Sequence, residues 1–137
     1  MKKLLSLFTS LVFLLSLSSC ATKVKDGNAE NVKITKVDSE IYTDEEIEAA
    51  IDVTKEYFEK HFSDCTLTQM EYVGDEELDD YQGFKERSDA DEVIVFVSSF
   101  DVGDDADESL GPDFCENWLW ILVRNSGGEW KHEDHGY

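Results

Sequence analysis

The chain has 137 residues, with 32 Asp and Glu against 12 Lys and Arg and a net charge of −20 at pH 7. That length suits one domain with a modest core. A field of that sign repels nucleic acid and anionic headgroups, which excludes nucleic-acid binding, and it favours cations or basic partners.

Residues 1–19 open with Met1-Lys2-Lys3, continue as an apolar run from Leu4 to Leu15, and end in Ser16-Leu17-Ser18-Ser19. A short basic start, an apolar stretch too short to span a bilayer comfortably and a small-residue cleavage region are the parts of an export signal. Leu17-Ser18-Ser19-Cys20 resembles the lipobox of bacterial lipoproteins. The resemblance implies that residues 1–19 are removed as a signal peptide and that the Cys20 sulfur receives diacylglycerol. Two acyl chains, palmitate among those expected, at ~0.8 kcal/mol per buried CH₂ hold a protein on a membrane stably, where one chain would not. The expected location is therefore the extracytoplasmic face of the cell membrane, with the membrane as partner through the lipid on Cys20. Loss of Lys2 and Lys3 takes the charge from −20 to −22.

In residues 20–41, Lys23, Lys25, Lys33 and Lys36 balance Asp26, Glu30, Asp38 and Glu40. Apolar content is low and no helical period runs through it, so this stretch is expected to be a flexible tether behind the lipidated cysteine. A short extended piece at Val32-Lys33-Ile34-Thr35-Lys36-Val37 is its only predicted structure. Residues 42–137 hold all the surplus acidity and are expected to form a single domain.

That domain begins with a helix. Thr43 and Glu46 are spaced as a capping box, Tyr42 and Ile47 as a hydrophobic staple, and Asp44, Glu45 and Glu46 match the helix dipole. Ile47, Ala50, Ile51, Thr54, Phe58 and Phe62 recur at helical spacing, opposite Glu48, Asp52, Lys55, Glu56 and Glu59. Cys65 to Val73, rich in Thr and in branched or aromatic residues, predicts a first strand. Residues 75–91 are mostly charged, with Leu78, Tyr81 and Phe84 three apart, and predict a short helix or ordered loop. Val93-Ile94-Val95-Phe96-Val97 predicts a central strand running on to Phe100. The acidic loop 101–113 follows. Trp118 to Arg124, the turn Asn125-Ser126-Gly127-Gly128 and Glu129 to His132 then predict a closing hairpin.

One long helix followed by about four strands argues α+β, with the helix packed on a curved antiparallel sheet. The stretches Ile41 to Ile51, Ser98-Ser99-Phe100-Asp101 and Trp120 to Trp130 resemble small lipoproteins of Gram-positive bacteria, a group that brings no activity with it. The tryptophan-bearing strand, glycine turn, Trp130-Lys131 and final Gly136 also resemble NTF2-like domains, the cystatin-like α+β roll. That resemblance implies a cavity between helix and sheet.

Several groups invite chemistry. Phe58, Phe62, Trp118 and Trp120 are candidates to line such a cavity, the alternative being plain core. Cys65 and Cys115 are the candidate disulfide of an exported protein, against two free thiols. The acidic loop suggests Ca²⁺ but fails the EF-hand template, because Leu110 stands where the tight turn needs glycine. His132 and His135 lie three apart, which on a regular strand puts them on opposite faces, and His61 sits on the helix with no evident link to them.

No nucleophile–base pair, phosphate loop, metal-ligand motif or cofactor fingerprint is visible. No catalytic residue, metal ligand or cofactor is therefore assigned, and the expectation leans away from an enzyme. The function read from the sequence is an envelope binding module that meets another envelope protein or a small ligand. The alternative is a small-ligand-processing enzyme using a pocket carboxylate on an NTF2-like fold, and a third is a dimeric scaffold pairing through the outer sheet face. Oligomeric state stays open.

Overall fold

The computed structural model describes residues 25–137. The expected signal peptide, 1–19, and Cys20 lie outside the described residues. Among the described residues, no helix is long and apolar enough to cross a membrane.

The helix predicted from the capping box is α1 (Asp44–His61). Thr43 Oγ1 accepts from the Glu46 N–H at 3.2 Å, and the Thr43 N–H donates to Glu46 Oε2 at 2.8 Å. Together they satisfy two of the N–H groups that a helix start leaves free. Ile47, Ala50, Ile51, Thr54 and Phe58 form its buried stripe. The helix ends at Phe62, and Asp64 takes a left-handed turn (φ 57°) into the sheet.

The sheet has five strands in chain order: β1 (Lys33–Thr35), β2 (Cys65–Tyr72), β3 (Glu92–Val102), β4 (Asp113–Arg124) and β5 (Lys131–Gly136). β2 to β5 form the expected antiparallel meander, but the edge strand β1 runs parallel to β2, so the sheet is mixed. A parallel neighbour needs a crossover, and α1 provides it, which lays the helix across one face of the sheet. β1 is three exposed residues long, too short to show a strand period. The class is α+β, with a second helix that the charged stretch 75–91 half concealed. That stretch forms a 3-10 helix (Glu76–Tyr81) running into α2 (Gln82–Ser88).

One face of β2 to β4 meets α1 through Leu67, Met70, Phe96, Phe100, Trp120 and Leu122, all buried. Val93 and Val95 alternate away from that face and are buried too. The 3-10 helix and α2 touch β3, and α2 also touches β4, which supplies the cover on the second side. Burial on both faces explains the unbroken branched run of β3. The register slips between Leu67 and Gln69, between Ser98 and Phe100, and between Ile121 and Leu122. Such bulges bend a sheet and re-aim side chains.

The tether expected over 20–41 is not a tether in its described part. Ala29 is fully buried. The Gly27 N–H donates to Glu59 O at 3.0 Å, the Asn28 N–H to Cys65 O at 2.9 Å, and the Leu67 N–H to Asn28 O at 2.8 Å. The segment is held by backbone bonds and by close approach, neither of which needs apolar side chains. A Cβ at Gly27 would lie 2.5 Å from Phe58 O and 2.8 Å from Phe62 O. Gly27→Ala is therefore expected to cost ~1–3 kcal/mol in urea unfolding, as overpacking does, and to speed tryptic cleavage at Lys33 and Lys36. An unchanged midpoint and cleavage rate would restore the tether.

Candidate functional site

The groups proposed for a cavity do not line one. Phe58 and Trp120 are fully buried, and Phe62 and Trp118 nearly so. Phe62 meets Phe58, Phe100, Trp118 and Trp120 at ring separations of 5.1–5.9 Å. This aromatic cluster fills the space between α1 and the sheet, so these four residues are core. The Trp120 indole N–H donates to Ser98 Oγ at 2.7 Å. The Trp118 indole N–H is the buried side-chain polar atom that lacks a partner among the described residues.

Cys65 and Cys115 are free, buried thiols rather than a disulfide. Cys65 pairs with Val102 and Cys115 with Phe100, so β3 runs between them. Two strand spacings are about 10 Å, beyond the ~7 Å Cα separation that a disulfide tolerates. Burial, with Cys115 adding to it, pushes the Cys65 thiol up to about 11, far from a reactive thiolate.

The acidic loop 101–113 is held by short-range hydrogen bonds. A 3-10 turn (Glu108–Leu110) occupies its middle, and Asp107 accepts from the Ser109 N–H at 2.8 Å. Among the described residues, no three His, Cys, Asp or Glu side chains converge as metal ligands.

What the fold does bring together is the histidines, all three that the chain contains. On β4, Trp120 and Leu122 are two apart and share a face. β5 sets His135 opposite Trp120 and His132 opposite Leu122, because the bulge leaves Glu133 as the extra residue. The expectation of opposite faces is thereby overturned. His132 Nε2 lies 3.0 Å from His135 Nδ1, within hydrogen-bonding distance. Tyr57 of α1 stacks on His132 at 3.6 Å and 8°, and its ring also packs against His61 at 4.2 Å. Two rings so close cannot share one face of a phenol, so Tyr57 separates His61 from His132. His135 lies against Trp118 at 5.7 Å and 25°. Between α2 and β5 is a groove of about 330 Å³ lined by Arg87, Ala90, Arg124, Lys131, His132 and Glu133, which His135 does not reach.

Burial pushes His132 down to about 4, with His135 adding to the shift and Asp134 opposing it. Burial also lowers His135, against the pull of Asp134. Both rings are therefore neutral near pH 7. A histidine whose folded value lies below its ordinary 6.5 gives stability that is complete above pH 6.5 and is lost as pH falls toward 4. Because the ring is only half-buried, solvent screening reduces the full linkage to ~1–2 kcal/mol. Urea midpoints at pH 7 and pH 4.5 should thus fall further for the unaltered chain than for His132→Gln. Equal falls would show that the ring is not desolvated.

Neither Tyr57 nor the proximity of the histidines was visible in the sequence, although Tyr57 and His61 are four apart on α1 and so share a helix face. Comparison with protein-family models, with curated proteins and with solved structures finds no match for the chain. The residues themselves carry the functional argument.

Proposed function

We propose that the protein is a lipoprotein held by diacylglycerol on Cys20 at the extracytoplasmic face of the cell membrane, and that its acidic domain works by binding an envelope protein or a small ligand. The observation that carries the anchor is Leu17-Ser18-Ser19-Cys20 behind a basic start and an apolar run. The docked segment sharpens it. Lys25 O accepts from the Asp64 N–H at 2.7 Å, so four residues, 21–24, and five Cα steps separate the anchor on Cys20 from the domain. At ~3.5 Å per residue the domain sits within about 18 Å of the membrane. The end carrying Asp64, with Gly103 bonded to it, faces the bilayer.

The fold reading that accompanies this is a roll of the NTF2-like or cystatin-like kind, supported by one long helix crossing a bulged antiparallel meander. β1 is an addition to that pattern. Binding rather than turnover is supported by the titration of the acidic side chains. A catalytic carboxyl for work near neutral pH is tuned upward. Here the clearly shifted ones move down: Glu46 through the Thr43 backbone N–H, Glu56 through Lys60, and Asp107 through Ser109. Asp75 and Asp134 are lowered as well, although burial opposes it.

The test is metabolic labelling with an alkynyl palmitate, followed by membrane fractionation. The unaltered protein should carry label and sediment with membranes, and Cys20→Ala should lose both. Label and sedimentation surviving in Cys20→Ala would sink the proposal.

A further inference from the structure

We propose that His132 and His135 form a binding site for a divalent transition-metal ion of tetragonal preference, Cu²⁺ ahead of Zn²⁺, with the remaining positions on the ion left to water or an exogenous ligand. This goes beyond the function proposed above and does not rest on acylation of Cys20.

The bulge in β5 creates the site. An extra residue in an edge strand costs a ladder bond, and here its effect is to place two imidazoles side by side on the face toward α1. Both rings are held from outside the pair. Tyr57 stacks on His132, and Trp118 and Trp120 pack on His135. Donors held side by side lose less freedom on binding an ion than free ones, and what remains is a tilt of each ring that swings its lone pair off the N···N line.

The spacing selects the geometry. Two nitrogens 3.0 Å apart, each about 2.05 Å from a common ion, subtend about 94° at it. That is close to the 90° between neighbouring ligands in a square-planar or tetragonal site, the habit of Cu²⁺ and Ni²⁺. A tetrahedral Zn²⁺ site wants about 109°, hence a separation near 3.3 Å and some opening of the pair. Imidazole nitrogen suits Cu²⁺, which also heads the affinity order for such donors.

The proton balance closes within the pair. In the metal-free chain, one neutral ring donates its N–H to the other. To turn both lone pairs on an ion, that ring moves the proton to its other nitrogen, with no net release. Glu133 and Asp134 lie between the two histidines in sequence, and the net charge of −20 concentrates cations around the whole chain. His61 is not a ligand, because the Tyr57 ring lies between it and His132.

The experiment is a titration of the full chain, purified in detergent, with Cu²⁺ alone and with Zn²⁺ alone. Binding is followed by calorimetry and by tryptophan fluorescence, since Cu²⁺ quenches indoles as near as Trp118 and Trp120 are to His135. One Cu²⁺ should bind per chain, with Zn²⁺ weaker. The electron paramagnetic resonance spectrum should show two nitrogen couplings, which counts the donors without any mutation. His132→Gln and His135→Gln should each weaken Cu²⁺ by at least ~10–100-fold, the loss seen even for supporting groups. His61→Gln should leave it unchanged. Couplings from oxygen alone, or titrations unaffected in both pair variants, would place the ion on surface carboxylates and overturn the site. Equal loss in His61→Gln would overturn the two-donor geometry.

Discussion

Replacing Trp120 with alanine is expected to destabilise the domain by ~3–5 kcal/mol, the range for deleting a buried indole or phenyl ring. The side chain is fully buried and meets Tyr57, Phe58, Phe62, His132 and His135. Truncation opens a cavity that rings anchored on α1, its cap residue and β5 cannot collapse into without giving up their own contacts. It also strips Ser98 Oγ of its indole donor at 2.7 Å, although that hydroxyl keeps its bond to Trp118 O at 3.2 Å. Domains of this size hold a margin of ~5–15 kcal/mol, so the variant sits near the edge of folding.

Urea unfolding compares Trp120→Ala with Trp120→Phe. The phenylalanine variant keeps most of the apolar volume and loses the hydrogen bond, so ~1–3 kcal/mol is expected from the unsatisfied group and the smaller ring. The contrast decides between core and pocket. A tryptophan lining an open pocket gives up little when truncated, because water enters the space. A loss under ~1 kcal/mol for Trp120→Ala would therefore revive a ligand cavity between α1 and the sheet.

Helix α1 was legible because three independent local signals agreed: the box at Thr43 and Glu46, the acidic first turn, and the stripe from Ile47 to Phe58. β3 was legible because Val93 to Val97 is branched throughout. The pieces that escaped depend on interactions distant in sequence. Nothing local marks Gly27 as the point where the chain passes within van der Waals range of the end of α1. β1 falls inside the extended piece expected over 32–37, but its parallel pairing is set by the edge that β2 offers, which nothing in Lys33-Ile34-Thr35 announces. The histidine pair was hidden for the same reason. Strand alternation sends His132 and His135 apart, and only the register of β5 against β4 makes Glu133 the surplus residue that turns them together. A bulge is a property of two strands, and a single sequence shows one at a time.

Arg124→Met is the other variant of large expected effect, at ~2–4 kcal/mol. Arg124 is nearly buried at the end of β4, and it joins three parts of the fold. Its Nη2 donates to Glu46 Oε1 at 2.6 Å on α1, its Nε to Glu92 Oε2 at 2.7 Å at the start of β3, and its guanidinium lies 4.2 Å from the centre of the Trp130 ring. Removing one partner of a fully buried pair costs ~3–5 kcal/mol, because the other charge is stranded. Glu46 and Glu92 retain about a third of their exposure and can rehydrate, which sets the lower figure. Arg124→Lys should recover less than half of the loss, since an ammonium cannot serve two carboxylates in fork geometry or stack flat on an indole. Acid titration gives a second readout. Glu46 is held below the usual carboxylate range first by the Thr43 backbone N–H and then by Arg124. A lowered carboxylate gives stability that is complete above its unfolded value and is lost as pH falls through the folded one. Arg124→Met should keep the Thr43 share of that acid limb and lose the rest, so its stability falls less steeply below pH 4.5 than that of the unaltered chain. Parallel acid limbs, with a loss under ~1 kcal/mol at pH 7, would mean that α1 and the sheet are held together by apolar packing alone.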